Sequence, residues 1–262
     1  MSLMTPVVLD RQTVVDSESG RDEKSRGARR QANGIPPLET GDHLSRAEFE
    51  RRYMAMPRVK KAELVEGVVF MPSPVFFQSH GEPHATVLGW LFGYAAATPG
   101  LKLADNTSLR LDFDNEVQPD AMLFRLETMG GQCRIADGDF LEGPPELIVE
   151  VAASSASYDM HSKRRVYRRN GVQEYLVLLT LEEEVVWFFL EDGEYNRLVP
   201  DDQGVLRSRV FPGLWLHLEH FWNGTLPGLM DTLQQGLASP EHVDFAAKLA
   251  QHTPRVHKDT TQ

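Results

Sequence analysis

One cysteine, Cys133, is all the chain has. An intramolecular disulfide is therefore excluded, and the count suits a reducing compartment. As a lone thiol, Cys133 reads as a small buried or loop residue rather than a nucleophile. The start of the chain has no apolar stretch of the kind that opens a secretory signal. The longest apolar run, Val87 to Ala97, is too short to span a bilayer. A soluble cytoplasmic protein without a membrane partner is expected. Basic charge is also scarce: 27 Lys and Arg stand against 38 Asp and Glu, a formal net charge of −11. That excludes grip on nucleic acid through a broad positive surface, so a local basic patch or metal ions would have to offset phosphate repulsion. Aromatic residues are absent from residues 1–40, where charges of both signs mix with Ser, Gly and Gln. Such a segment buries too little apolar surface to offset the entropy of ordering, and a disordered tail is expected there. No internal repeat is visible. No G-x-S-x-G elbow surrounds Ser154, Ser155 or Ser157, which suit a turn and a helix cap.

What is present is organised around PPELIVEVAASSASYDMHSKRRVYRRNGVQEYLVLL, from Pro144 to Leu179. It reads as a buried strand (Leu147 to Val151), a Ser-rich turn, a helix from about Asp159 to Asn170, a stop at Gly171 and a second buried strand (Tyr175 to Leu179). Strand, helix, strand with short connections is a crossover unit of a mixed or parallel sheet. Upstream, Ser45 and Glu48 have capping-box spacing for a helix from Arg46 to about Met56. AELVEGVVFMP then reads as a hairpin turning at Glu66-Gly67. A helix from roughly Glu82 to Ala97 ends at Pro99-Gly100. Leu109, Leu111 and Phe113 alternate with Arg110, Asp112 and Asp114, the pattern of a half-exposed strand. QPDAMLF reads as another strand, and residues 126–143, rich in Gly and Asp, as a loop or irregular insertion. After the crossover come a hairpin turning at Glu191-Asp192-Gly193, an extended run from Arg209 to Leu218, and amphipathic helices in the last 40 or so residues. The division expected is a tail over 1–40, one domain over 41–224 and a helical extension over 225–262.

Three carboxylates stand out. Glu150 lies inside an apolar strand, where a charge is costly unless paired or bound to a metal. Asp120 follows Pro119 at the head of another apolar strand, and Glu66 lies in the early hairpin. Acidic groups on adjacent strands can converge on a hard divalent cation such as Mg2+, with the carbonyl of Val151 as a neutral ligand. At about 100° per residue, Arg164, Arg165, Arg168 and Arg169 cluster on one side of the helix, and Lys163, Val166, Tyr167 and Asn170 on the other. Lys163 should therefore point inward, toward Glu150, since a core-facing lysine needs an acidic partner. His80, His84 and His161 lack a paired ligand spacing and read as structural or exposed.

The ordered set ELVEGVVFMPSP, VQPDAMLF, PELIVEVAASSASYDMHSKRRVYRRNGVQEYLVL and FPGLWL resembles the Uma-two family of bacterial restriction-endonuclease domains, over about residues 45–222. That family is similar to the PD-(D/E)XK nucleases. The resemblance implies an α/β fold of the α+β type, a restriction-endonuclease-like core with a mixed sheet flanked by helices. It further implies Asp120 as the PD aspartate, Glu150 as the (D/E) residue, and Glu66 as the early acidic residue. Two residues after Glu150, where those nucleases carry lysine, stands Ala152; the family's lysine on the following helix matches Lys163. The expected function is Mg2+- or Mn2+-dependent cleavage of phosphodiester bonds, in DNA. Asp120, Glu150 and Glu66 would hold the metal, and Lys163 would assist the attacking water; enzymes of this architecture often work as homodimers. The alternative is a nuclease-like fold that binds nucleic acid or a protein without cutting. A third reading is a scaffold acting through its C-terminal helices.

Overall fold

The computed structural model describes residues 34–72 and 74–251. The expected tail over residues 1–40 lies outside the described residues except for 34–40, as does the C-terminal end from residue 252.

β9 (Leu147–Ala152) is buried along its whole length, as a strand covered on both faces must be. It pairs in parallel with β10 (Glu174–Leu179) and antiparallel with β6 (Ala121–Arg125). This sheet runs β12 (Glu194–Arg197), β11 (Glu184–Glu191), β10, β9, β6, β3 (Leu101–Asp105). The link from β9 to β10 is helical, as the sequence predicts: α3 (Ala156–Tyr158), a π-helical turn Asp159–Lys163, and α4 (Arg164–Arg169). Gly171, at φ 82, then turns the chain out of the helix, a conformation that costs glycine no Cβ clash.

One face of that sheet carries Leu147, Val149, Leu176, Leu178 and Trp187. It packs under α2 (Glu82–Ala97), whose Val87, Trp90, Leu91 and Tyr94 are buried. α5 (Leu218–Trp222) and α6 (Leu226–Leu237) join the same core through Phe221, Leu229 and Leu233, and α7 (Pro240–Ala250) follows. Trp90 donates to the carbonyl of Trp215 at 2.9 Å and Tyr94 to that of Pro212 at 2.8 Å, which ties the FPGLWL segment to α2. Of the expected extended run 209–218 only β14 (Trp215–His217) is strand, paired with β13 (Val205–Arg207).

The opposite face, with Ile148, Met122, Tyr175 and Val177, packs on Val166 and Tyr167 of α4. It also meets Val65, Leu109, Val117 and Leu141 of a second mixed sheet. That sheet runs β2 (Val68–Phe70), β1 (Glu63–Val65), β5 (Asn115–Val117), β4 (Leu109–Asp112), β8 (Phe140–Glu142), β7 (Arg134–Ala136). Two expectations are corrected here. The alternating strand does not continue through Asp114: the chain turns there, with Phe113 84% exposed, because Asp112 accepts from the backbone N–H of Asp114 and closes a tight turn. Residues 126–143 are not a loop, since β7 and β8 form a hairpin within them. Cys133, buried and free, donates to the carbonyl of Gly143. The first helix, α1 (Arg46–Met54), is capped by Ser45, whose hydroxyl accepts from the N–H of Glu48.

Candidate active site

Asp120 precedes β6, and Ala121 lies opposite Val149, so Asp120 continues the same register beside Glu150. Both face the side of the sheet covered by the helix over 156–169. One Asp120 oxygen, Oδ2, accepts from the N–H of Val151 at 2.8 Å and lies 3.4 Å from His80 Nε2. The other, Oδ1, accepts from Lys61 Nζ at 2.9 Å. Burial pushes the Asp120 carboxyl up, but the His80 hydrogen bond and the Lys61 charge outweigh it, and the group is held well below the usual carboxylate range.

Glu150 is tied to the helix. Its Oε1 accepts from Lys163 Nζ at 2.9 Å and from the Tyr167 hydroxyl at 2.7 Å. Lys163 also lies 3.0 Å from Glu63 Oε2 and 3.4 Å from Asp159 Oδ1, with only 3% of its side chain exposed. Three carboxylates overcome the desolvation of that ammonium, and Lys163 stays protonated well above its ordinary range. Burial, followed by the charges of Asp159, Asp120 and Glu63, pushes Glu150 up to about 8 despite Lys163. Glu63 also fixes the N–H of Gln118, which joins β1 to the segment leading into Asp120.

Lys163 thus points where the helical-face argument sends it, and Asp120 and Glu150 come together. Glu66 does not join them. It occupies the β1–β2 turn at φ 53, half-exposed, and pairs with Arg165 at 2.9 Å and Arg169 at 3.4 Å on the outer face of the helix. Glu63, three residues earlier, takes the buried position. Its signal was the one that singled out Glu150, an acid in an all-buried strand. Lys61 had no reading from the sequence and Asp159 was read only as a helix start, while His80 and His84, expected to be structural or exposed, also stand at the cluster. His84 Nε2 lies 2.9 Å from the carbonyl oxygen of Asp120 and 3.2 Å from Asp105 Oδ1; its i, i+4 spacing from His80 was the available clue. The two π-helical turns among the described residues, Phe77–Gly81 and Asp159–Lys163, both deliver side chains here, as such turns often do at functional sites.

Four carboxyl groups (Glu63, Asp120, Glu150, Asp159) face two ammonium groups (Lys61, Lys163), an acidic excess that burial relieves by favouring the protonated form of Glu150. Beside them the Tyr158 hydroxyl is buried with no hydrogen-bond partner, although Glu63, Lys163, Asp159 and Glu150 all act on it electrostatically. An orphaned hydroxyl, hard oxygen donors and an excess of carboxyl over ammonium groups fit a divalent cation in chemistry. Among the described residues no three of His, Cys, Asp or Glu are grouped closely enough to hold a metal by themselves. A cation would need Asp120 Oδ1, now held by Lys61, together with backbone carbonyl or water oxygens.

A family described as "Putative restriction endonuclease" matches residues 46–219. The chain belongs to this family. Its members' name suggests nucleases, and the fold agrees with that class. The crystal structure of a putative nuclease of the DUF820 group from Anabaena variabilis superposes with a TM-score of 0.51 at 12% identity, over 66% of this chain and 96% of that one. At that identity the likeness establishes the restriction-endonuclease-like fold. Comparison with curated proteins gave no match. No helix among the described residues is long and apolar enough to cross a membrane.

Proposed function

We propose that this member of the family is a metal-dependent endonuclease that hydrolyses phosphodiester bonds in DNA. The observation that carries the reading is the under-neutralised carboxylate cluster formed where Asp120 and Glu150 meet on adjacent strands. Asp120, Glu150 and the carbonyl of Val151 would hold Mg2+ or Mn2+, with oxygen donors of the kind both ions prefer. Such an ion, when bound, stabilises charge growing on a phosphate and makes water a better nucleophile. The chain's own residues prepare that site. Lys163 and Tyr167 fix Glu150 through one oxygen, and the Val151 N–H and His80 orient Asp120. The buried Lys163 is thereby a positioning residue, whereas Lys61 keeps 23% of its side chain exposed. Phe76 and Phe77, 72% and 71% exposed, lie just before His80 and offer ring faces on which unpaired bases can stack, worth about 1–3 kcal/mol per base. That contact does not depend on the acidic net charge.

The test is cleavage of supercoiled plasmid and of single-stranded DNA by the full chain, with Mg2+, Mn2+ or chelator, against Glu150→Gln. Metal-dependent cutting that disappears in the variant is expected. Absence of cutting by folded wild type, or cutting that survives in the variant, overturns the reading. The internal neutralisation of Asp120 by Lys61 and of Glu150 by Lys163 favours one second reading, a fold that binds nucleic acid without cutting it. Its mark is DNA binding unchanged by chelator or by Glu150→Gln.

A further inference from the structure

We propose that Lys61 is a built-in counter-ion at Asp120, which holds the oxygen a divalent cation needs and gives way when the cation arrives. The inference rests on the metal-dependent reading of the site and adds how that site is regulated. The two lysines of the cluster differ in kind. Lys163 is enclosed by Glu63, Glu150 and Asp159 with 3% of its side chain exposed, so moving it would strand three buried charges. Lys61 precedes β1 and keeps 23% of its side chain exposed. Its Nζ touches one oxygen of Asp120, Oδ1, at 2.9 Å, while the other, Oδ2, is engaged by Val151 and His80.

An alternative resting place is already in contact. Lys61 Nζ also bonds Asn106 Oδ1 at 3.2 Å, and Asn106 in turn donates to the half-exposed Asp105. The ammonium can therefore leave Asp120 for Asn106 and Asp105 without losing every partner, and four flexible side-chain bonds permit the swing. Without a cation, Asp120 then has a partner instead of a bare buried charge. With one, a displaced ammonium stands at the exposed edge, where an incoming phosphate would meet it.

Mn2+ binding by calorimetry on the full chain separates the two claims. Competition predicts that Lys61→Met binds Mn2+ about tenfold tighter than wild type, the scale set by losing one charge-assisted contact; Asp120→Asn should lose binding. Loss in Asp120→Asn with equal or weaker affinity in Lys61→Met overturns the Lys61 inference alone. Binding undiminished in Asp120→Asn overturns the metal reading and this inference with it. A measurement on wild type guards against a variant that does not fold. Acetylation of Lys61 by an N-hydroxysuccinimide ester, read by peptide mass spectrometry against Lys60, should accelerate several-fold when Mg2+ is added. Equal rates with and without Mg2+ overturn the proposal.

Discussion

Replacing Lys163 by methionine keeps the length of the side chain and removes its charge from the centre of three carboxylates. Removing one partner of a buried ion pair costs about 3–5 kcal/mol, because the remaining charge is left without compensation. In a chain of this size each kcal/mol lowers Tm by about 2–4 °C, so a fall of roughly 6–20 °C follows. The sign of the pH dependence is a sharper test. Glu150 is raised to about 8 in the folded protein, with burial the main cause, and Asp159 is raised for the same reason. A carboxyl raised by folding contributes stability that is full below its unfolded pKa, near 4.3, and is lost as pH rises through the folded value. Without Lys163 the folded values climb further, so the penalty of Lys163→Met grows as pH rises and is larger at pH 8 than at pH 5. Urea unfolding of wild type and variant at the two pH values reads this directly. Adding Glu150→Gln to the variant should restore part of the loss at pH 8. A penalty under about 1 kcal/mol, or one equal at pH 5 and pH 8, would refute the view of Lys163 as the neutralising centre of the cluster.

Asp120 has the opposite sign: its folded pKa is depressed, so its stabilisation is present above about pH 4 and drains away as pH falls, and Asp120→Asn should flatten the acid limb of a stability–pH curve. Glu66→Gln removes only partly exposed pairs with Arg165 and Arg169; unfolding free energy should change by less than about 1 kcal/mol and Mn2+ affinity not at all. Gly236→Ala would set a Cβ 2.1 Å from the carbonyl oxygen of Gly213, so thermal melting should drop by several degrees, and an unchanged Tm would refute the close docking of α6 on the FPGLWL loop. Tyr167→Phe strips one donor from Glu150, which should cost about 1–3 kcal/mol in chemical denaturation.

Local patterns in the sequence were enough for the elements whose signals are short-range. The crossover unit announced itself through two apolar runs and a helical face, and the inward turn of Lys163 followed from 100° per residue alone. The early hairpin and the capped first helix were legible for the same reason, since turn and cap chemistry act over three or four residues. The β7–β8 hairpin was not, because its strands are three residues each with only Leu141 buried, and Gly and Asp dominate the composition around them. Glu66 was expected beside Asp120, but it sits in the turn after β1, whereas Glu63 begins β1 and is buried against Lys163, a difference that the pairing of β1 with β5 decides. Lys61, His80 and His84 come from segments 36–59 residues away from Asp120 along the chain, and His80 reaches it from a π-helical turn that no periodicity foretells. The sequence by itself determined that the strand headed by Asp120 and the strand carrying Glu150 are buried and that Lys163 turns inward, because burial of apolar runs and the face of a helix are local, compositional properties. Only the tertiary structure decided that Lys61 and His80 stand against Asp120 and that Glu63 and Asp159 join Glu150 around Lys163, because charge pairing is set by distance in space, and the chain brings these cations there from three separate segments.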